Sequence, residues 1–177
     1  MKLALILCDG FEDIEAIATK DILNRAGIQV TLFGEKEIVK SNHDTMIIAN
    51  KIISKEITTY DGIILPGGLP GAINIKNNND IIKYLQIMNN NEKLIAAICA
   101  APLVLKHANV LNNKKATIYP DDEFISLLGS SYLNENIVVD KNIITASGPA
   151  FTYDFAFSIL EYFDINIGEI KKGMLFE

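Results

Sequence analysis

Short, almost wholly apolar runs alternate along the chain with stretches of helical period. Lys2 to Cys8 (KLALILC) ends at Asp9-Gly10, which predicts a strand buried on both faces. From Glu12 to Ala26 the period changes: Ile14, Ile17, Ala18, Ile22 and Leu23 share one helical stripe, and Gly27 ends it. Ile28 to Phe33, Gly62 to Leu65 and Leu94 to Ile98 repeat the buried-strand pattern. Asp80 to Met88 and Ala100 to His107 read as helices, and the Asn-rich stretch after Pro66-Gly67-Gly68 reads as a loop. Between Gly34 and Tyr60, the alternating pieces Thr45 to Ala49 and Ile52 to Ser54 predict a small accessory hairpin. Beyond His107 the pattern predicts strands at Ala116 to Ile118, Ile137 to Val139 and Ile143 to Thr145. Helices follow at Asp121 to Leu128 and Ala150 to Tyr162, with a short closing helix within Ile165 to Glu177. Strands separated by helices imply an α/β protein with a mostly parallel sheet and right-handed crossovers.

With 177 residues, the chain is expected to form one domain, 1-177, around one core. Hydrophobic residues make up 49% and charged residues 21%, which excludes intrinsic disorder and fibrous folds. The net charge of −6, with the positive charges scattered, argues against nucleic acid as a primary partner. The absence of a signal-like or membrane-length apolar segment sets a cytoplasmic location, and no membrane partner, as the expectation. Two cysteines and two histidines give no disulfide framework and no zinc-ligand spacing, so no metal or other cofactor is expected.

A doubly wound parallel sheet binds its ligand outside the carboxyl ends of its strands, which directs attention to four junctions. These are Asp9 to Glu15, Pro66-Gly67-Gly68, Cys99, and Ser147-Gly148-Pro149. At Ala96-Ala97-Ile98-Cys99-Ala100-Ala101-Pro102 a strand runs directly into a helix with a nucleophile at the turn. Ala97 and Ala101 supply the small flanking residues that such an elbow needs. A thiol at a helix N-terminus is expected to have a pKa lowered from about 8.5 toward 7. The pattern alone equally allows a buried structural cysteine, which is the reading given to Cys8. Gly67 and Gly68 let backbone amides approach a reacting atom, or merely make a tight turn. Glu12 and Asp13 are explained by the helix dipole. Glu15 adjoins the apolar stripe, where a half-buried carboxyl with a raised pKa can hand a proton to a neighbouring thiol.

Five segments in order, DGFEDIEA (Asp9 to Ala16), RAGIQV (Arg25 to Val30), ILPGG (Ile64 to Gly68), AAICAAP (Ala96 to Pro102) and TASGPA (Thr145 to Ala150), resemble the ThiJ/PfpI superfamily. Within it they are most similar to the DJ-one branch of parkinsonism-associated deglycases and their bacterial relatives. The resemblance implies a flavodoxin-like three-layer sandwich, class I glutamine amidotransferase-like. It implies a nucleophilic Cys99 hydrogen-bonded to a protonated Glu15, with amides of Gly68 and Ala100 holding an oxyanion or the oxygens of an oxidised cysteine. A pocket including Gly67, Tyr119, Gly148 and Pro149 is expected, together with a homodimer that places Asp21, Arg25 and His43 at its interface. It further implies cofactor-independent glyoxalase or deglycase chemistry on small reactive aldehydes, such as methylglyoxal and glyoxal, or on glycated thiol or amine adducts.

Two positions depart from that pattern. Tyr119 stands where the animal branch has histidine, and a phenol with a pKa of about 10 is no base near pH 7. His43 replaces the family's interface arginine. A stress sensor or chaperone read out by Cys99 oxidation uses the same thiol, so turnover and sensing both stand at this point. A PfpI-type peptidase fits less well, because Ala100 occupies the place of the histidine that follows its cysteine. A glutamine amidotransferase also fits poorly, because His43 and His107 do not lie late in the chain as its base does.

Overall fold

The computed structural model describes residues 1–176. In chain order its elements are β1 (Lys2–Leu7), α1 (Asp13–Arg25), β2 (Gln29–Gly34), β3 (Ile38–Lys40), β4 (Met46–Ile48), β5 (Lys51–Ile52) and β6 (Gly62–Leu65). These are followed by α2 (Gly71–Asn77), α3 (Asn79–Asn90), β7 (Leu94–Ile98), α4 (Pro102–His107), α5 (Asp122–Leu128), β8 (Ile137–Asp140), β9 (Ile143–Ala146), α6 (Thr152–Tyr162) and α7 (Gly168–Gly173). Seven strands form the main sheet in the order β5-β2-β1-β6-β7-β9-β8. All neighbours are parallel except β8 and β9.

Successive residues of a strand face opposite sides, and this alternation builds two cores. Leu3, Leu5 and Leu7 of β1 pack with Ala16, Ile22 and Leu23 of α1 and with Phe155 and Ile159 of α6. Ala4 and Ile6 of the same strand share the other core with Ile75 of α2, Leu85 of α3 and Val104 of α4. The result is the flavodoxin-like three-layer sandwich, helices on both faces of a mostly parallel sheet. The chain leaves β1 for β2 on one side and returns to β6 on the other, so the order reverses at β1 and β6. The carboxyl ends of these two strands therefore border a crevice.

Several elements differ from the sequence pattern for local reasons. The accessory hairpin pairs β3 with β4, not with the Ile52 segment. Lys51 and Ile52 instead add a parallel edge to Phe33 and Gly34, beside the Asn50 side chain that accepts from Leu32 N–H at 3.0 Å. Ala116 to Ile118 is no strand. Ala116 makes a single bridge to Tyr132, and Thr117 N–H donates to the Thr145 hydroxyl at 2.9 Å. The stretch read as a loop contains α2, which buries Ala72 and Ile75. In α1 the buried face is Glu15, Ala16, Thr19, Ile22 and Leu23, leaving Ile14 and Ile17 in solvent at 52% and 41% exposure. The closing helix spans Gly168–Gly173, and Glu177 lies outside the described residues. Among the described residues no helix is long and apolar enough to cross a membrane.

Leu5 is fully buried in the central strand. Leu5→Ala is expected to lower the unfolding free energy by about 2–5 kcal/mol in urea titration. A loss under about 1 kcal/mol would mean that the α1–α6 layer does not pack on β1 as described.

Candidate active site

β7 ends at Ile98, and α4 begins only at Pro102, so Cys99 to Ala101 form the turn between them. Cys99 has φ +61°, a left-handed conformation that costs a side-chain-bearing residue about 1–2 kcal/mol. Both its backbone groups are bonded. Cys99 N–H donates to Ala146 O and Cys99 O accepts from Tyr119 N–H, each at 2.9 Å. The strained turn is thus fixed by the strand beside it and by the segment that carries Tyr119. This is an elbow that projects a partly buried thiol over the sheet.

Glu15 reaches the same place from α1. It lies on the helix's buried face, and one carboxylate oxygen, Oε2, accepts from Gly67 N–H at 2.7 Å. The other, Oε1, is buried and among the described residues has no hydrogen-bond partner, and the Cys99 thiol lies next to the carboxyl, across from Gly67. Gly67 allows this approach. A Cβ there would stand 2.8 Å from both Cys99 Cβ and Glu15 Oε2. Gly68 has φ +87°, and a Cβ would meet Gly10 O at 2.4 Å, so β6 must end in glycines for the strand ends to close together. Among the described residues the amides of Gly68 and Ala100 donate to no backbone carbonyl, and both act on the neighbouring Cys99 thiol in the direction that favours its thiolate.

Burial pushes the Glu15 carboxyl up to about 7, against the opposing effects of the Gly67 N–H and the thiol. Near neutral pH it is therefore divided between its acid and its base. Burial also pushes the Cys99 thiol up to about 12, with the Glu15 charge adding to the rise and the two amides opposing it. This corrects the expectation of a lowered thiol. α4 starts two residues later than the sequence suggests, while the low-dielectric site and a neighbouring carboxylate both disfavour a second negative charge. Across neutrality the carboxyl therefore loses its proton while the thiol keeps its own, which leaves a carboxylate beside a protonated thiol. Cys8 is fully buried in the core, and burial and Glu35 raise its thiol.

A cavity of about 330 Å³ opens above the thiol. Its walls include Gly68, Ala100 and Tyr119 of the expected site residues, and also Leu69, Phe124 and Asp121, which sequence reasoning did not assign to a pocket. Glu12, read from sequence as a helix-dipole carboxylate, lines it as well, next to Asn42. The single bridge from Phe11 to Ser41 brings Asn42 there. Gly148 and Pro149 do not join this cavity. They line a neighbouring one of about 270 Å³, and Tyr119 stands between the two. Asp21 and Arg25 pair with each other on the outside of α1 at 2.7 Å. His43 lies on the exterior, 3.4 Å from Asp13 and 3.6 Å from Glu12.

A left-handed cysteine between a parallel strand and a helix, with a buried carboxyl against its sulfur at the point where strand order reverses, defines a flavodoxin-like protein of the nucleophile-elbow class. Comparison with known proteins narrows that class. The chain belongs to the DJ-1/PfpI family, which it matches over residues 1–162. It is 36% identical to protein dj-1beta of Drosophila melanogaster over 177 residues, covering 97% of this chain and 95% of that protein. To the glutathione-independent glyoxalase DJR-1.2 of Caenorhabditis elegans it is 34% identical over 165 residues, covering 90% and 88%. The solved structure of oxidized DJ-1 from Toxoplasma gondii superposes with a TM-score of 0.92 at 30% identity, covering 99% of this chain and 98% of that one.

Glu15 has a folded-state pKa raised above its unfolded value, so the stability linked to it is fully present below about 4.5 and is lost as pH rises through about 7. Glu15→Gln removes that linkage. Urea titrations are expected to show the Gln variant gaining about 3 kcal/mol on the unmodified protein between those pH limits. A difference that stays constant with pH would show that Glu15 is not desolvated in the fold.

Proposed function

We propose that the protein is a cofactor-independent enzyme acting on small reactive carbonyls, of glyoxalase or deglycase type, with Cys99 as nucleophile and Glu15 as proton shuttle. The observation that carries this reading is the Glu15–Cys99 pair, a thiol in contact with a carboxyl whose pKa matches neutral pH. A group balanced between acid and base accepts and returns protons within one turnover. The family relationship and the glyoxalase name of one relative agree with it.

With methylglyoxal, Glu15 takes the thiol proton as Cys99 sulfur bonds to the aldehyde carbon. The carbonyl oxygen becomes an oxyanion, which the Gly68 and Ala100 amides stabilise and which then takes a proton to give a hemithioacetal. A base removes the proton from the former aldehyde carbon while the ketone oxygen gains one, giving an enediol; a proton then returns to the former ketone carbon as the first carbon's hydroxyl loses its own, which leaves the second carbon an alcohol. The first carbon has become a thioester, so one carbon is oxidised and its neighbour reduced without an outside redox partner. Water cleaves the thioester, the hydroxy acid leaves, and the thiol regains its proton.

Burial and the Glu15 charge disfavour a resting thiolate at Cys99, so in this mechanism the proton leaves as the sulfur attacks. Tyr119 in the histidine's place is a cavity wall in this reading and not the base. Purified protein is expected to convert methylglyoxal to lactate, with Cys99→Ser abolishing turnover and Glu15→Gln lowering kcat by about 10²–10⁴. Full activity in Cys99→Ser would sink the proposal, and full activity in Glu15→Gln would remove Glu15 from it.

The homodimer belongs to the same reading. Ile14, Ile17 and Tyr153 are 52%, 41% and 42% exposed along the groove between α1 and α6, an apolar surface that a second copy of this chain would cover. Asp21, Arg25 and His43 lie on the exposed surface of α1 and beside its start, where they would form the polar rim of that contact. Sedimentation at micromolar concentration is expected to give twice the 19.5 kDa chain mass, falling to the chain mass in Ile17→Asp. A monomer before any substitution would contradict it.

A further inference from the structure

The cavity above Cys99 is chemically polarised. At its base lie the thiol and the Gly68 and Ala100 amides, whose N–H dipoles favour developing negative charge. Two acidic residues, Glu12 and Asp121, also line the cavity, and among the described residues no lysine or arginine does. Glu12 has only 12% of its side chain exposed; Asn42 Nδ2 donates to its Oε2 at 3.2 Å, and its one basic neighbour among the described residues is the exposed His43. Asp121 uses Oδ1 to cap α5, accepting from Glu123 and Phe124 N–H, and among the described residues forms no ion pair. Local ion pairing therefore leaves the negative charge of the cleft largely uncompensated, with the Glu12 side chain mostly buried, where its field is least screened, and Asp121 exposed. Tyr119 and Phe124 add aromatic walls, which accommodate a cation better than an anion.

We infer that the site selects carbonyl compounds that carry a cationic group, an ammonium or guanidinium a few atoms from the reacting carbon, with Glu12 and Asp121 as the specificity-determining residues. This rests on the proposed carbonyl chemistry and narrows its substrate class. The carbonyl enters toward the amides while the cation remains at the carboxylates.

The test reads the field at the sulfur directly and needs no turnover. Cationic trimethylammonioethyl, neutral methyl and anionic sulfonatoethyl methanethiosulfonates each react by attack of the Cys99 thiolate on the sulfenyl sulfur. A disulfide forms and methanesulfinate leaves. Rates at one pH and low ionic strength are divided by those of a small free thiol, with Cys99→Ser as the control for Cys8. The normalised cation-to-anion ratio is expected to be at least about tenfold, to fall toward unity with added salt, and to drop roughly threefold in each of Glu12→Gln and Asp121→Asn. Asparagine retains the cap on α5, so the second variant preserves the helix start. The salt dependence tests the inference in the unmodified protein, whether or not a variant folds. A normalised ratio near one, or a ratio unmoved by salt and by both variants, overturns it. Methylglyoxal turnover alongside a flat ratio would sink the charge selection alone, whereas a steep ratio without Cys99-dependent turnover would sink the carbonyl chemistry.

Discussion

Everything at this site depends on how closely the end of β6 approaches the Glu15 carboxyl and the Cys99 turn. Gly67 brings its N–H to 2.7 Å from Glu15 Oε2, and no side chain fits between it and the cysteine. A buried carboxyl supported by one amide and a thiol, rather than by a cation, cannot hold a full negative charge at the usual cost. Its pKa therefore moves to about 7, where proton transfer in either direction is feasible. Had a lysine or arginine stood there, Glu15 would be an ordinary carboxylate and the thiol would have no acceptor that changes state near neutrality.

The sheet topology supplies the convergence. β1, β6 and β7 are adjacent and parallel, so α1, the glycines after Leu65 and the turn after Ile98 all emerge on one edge. Each contributes a group the others lack: a carboxyl, free amides and a nucleophile. The left-handed backbone at Cys99 is tolerated because β9 and the Tyr119 segment hold both of its peptide groups. The same strand-end crevice then receives side chains from distant loops, including Asn42 and Asp121, which give it a charge that the elbow alone does not determine.

The parts of this arrangement legible in the sequence are those carried by short local patterns. Short, almost wholly apolar runs located the buried strands, and the alanines flanking Cys99 marked the elbow. The resemblance correctly implied the family and fold, to which Glu15 and the two amides were attached. What local pattern missed was set by tertiary context. Asn-rich composition hid α2, whose helical state is decided by Ala72 and Ile75 reaching the core. The α1 stripe was misoriented because isoleucines at 14 and 17 face outward while Glu15 and Thr19 face in. The direction of the thiol's shift was misread because burial and a neighbouring carboxylate outweigh two amides, a balance that a strand-to-helix spacing does not reveal. The separation of Gly148 and Pro149 from the Cys99 cavity depends on where the Tyr119 ring lies, which has no sequence signature.

The central claim is that burial places the Glu15 proton equilibrium at neutrality. Infrared difference spectroscopy reads it most directly, because the C=O stretch of a protonated buried carboxyl is separate from that of carboxylates and is identified by its loss in Glu15→Gln. The account predicts that this band is present under acid conditions and titrates away with a midpoint near pH 7. A band that disappears in the ordinary glutamate range, about 4.3, would contradict it.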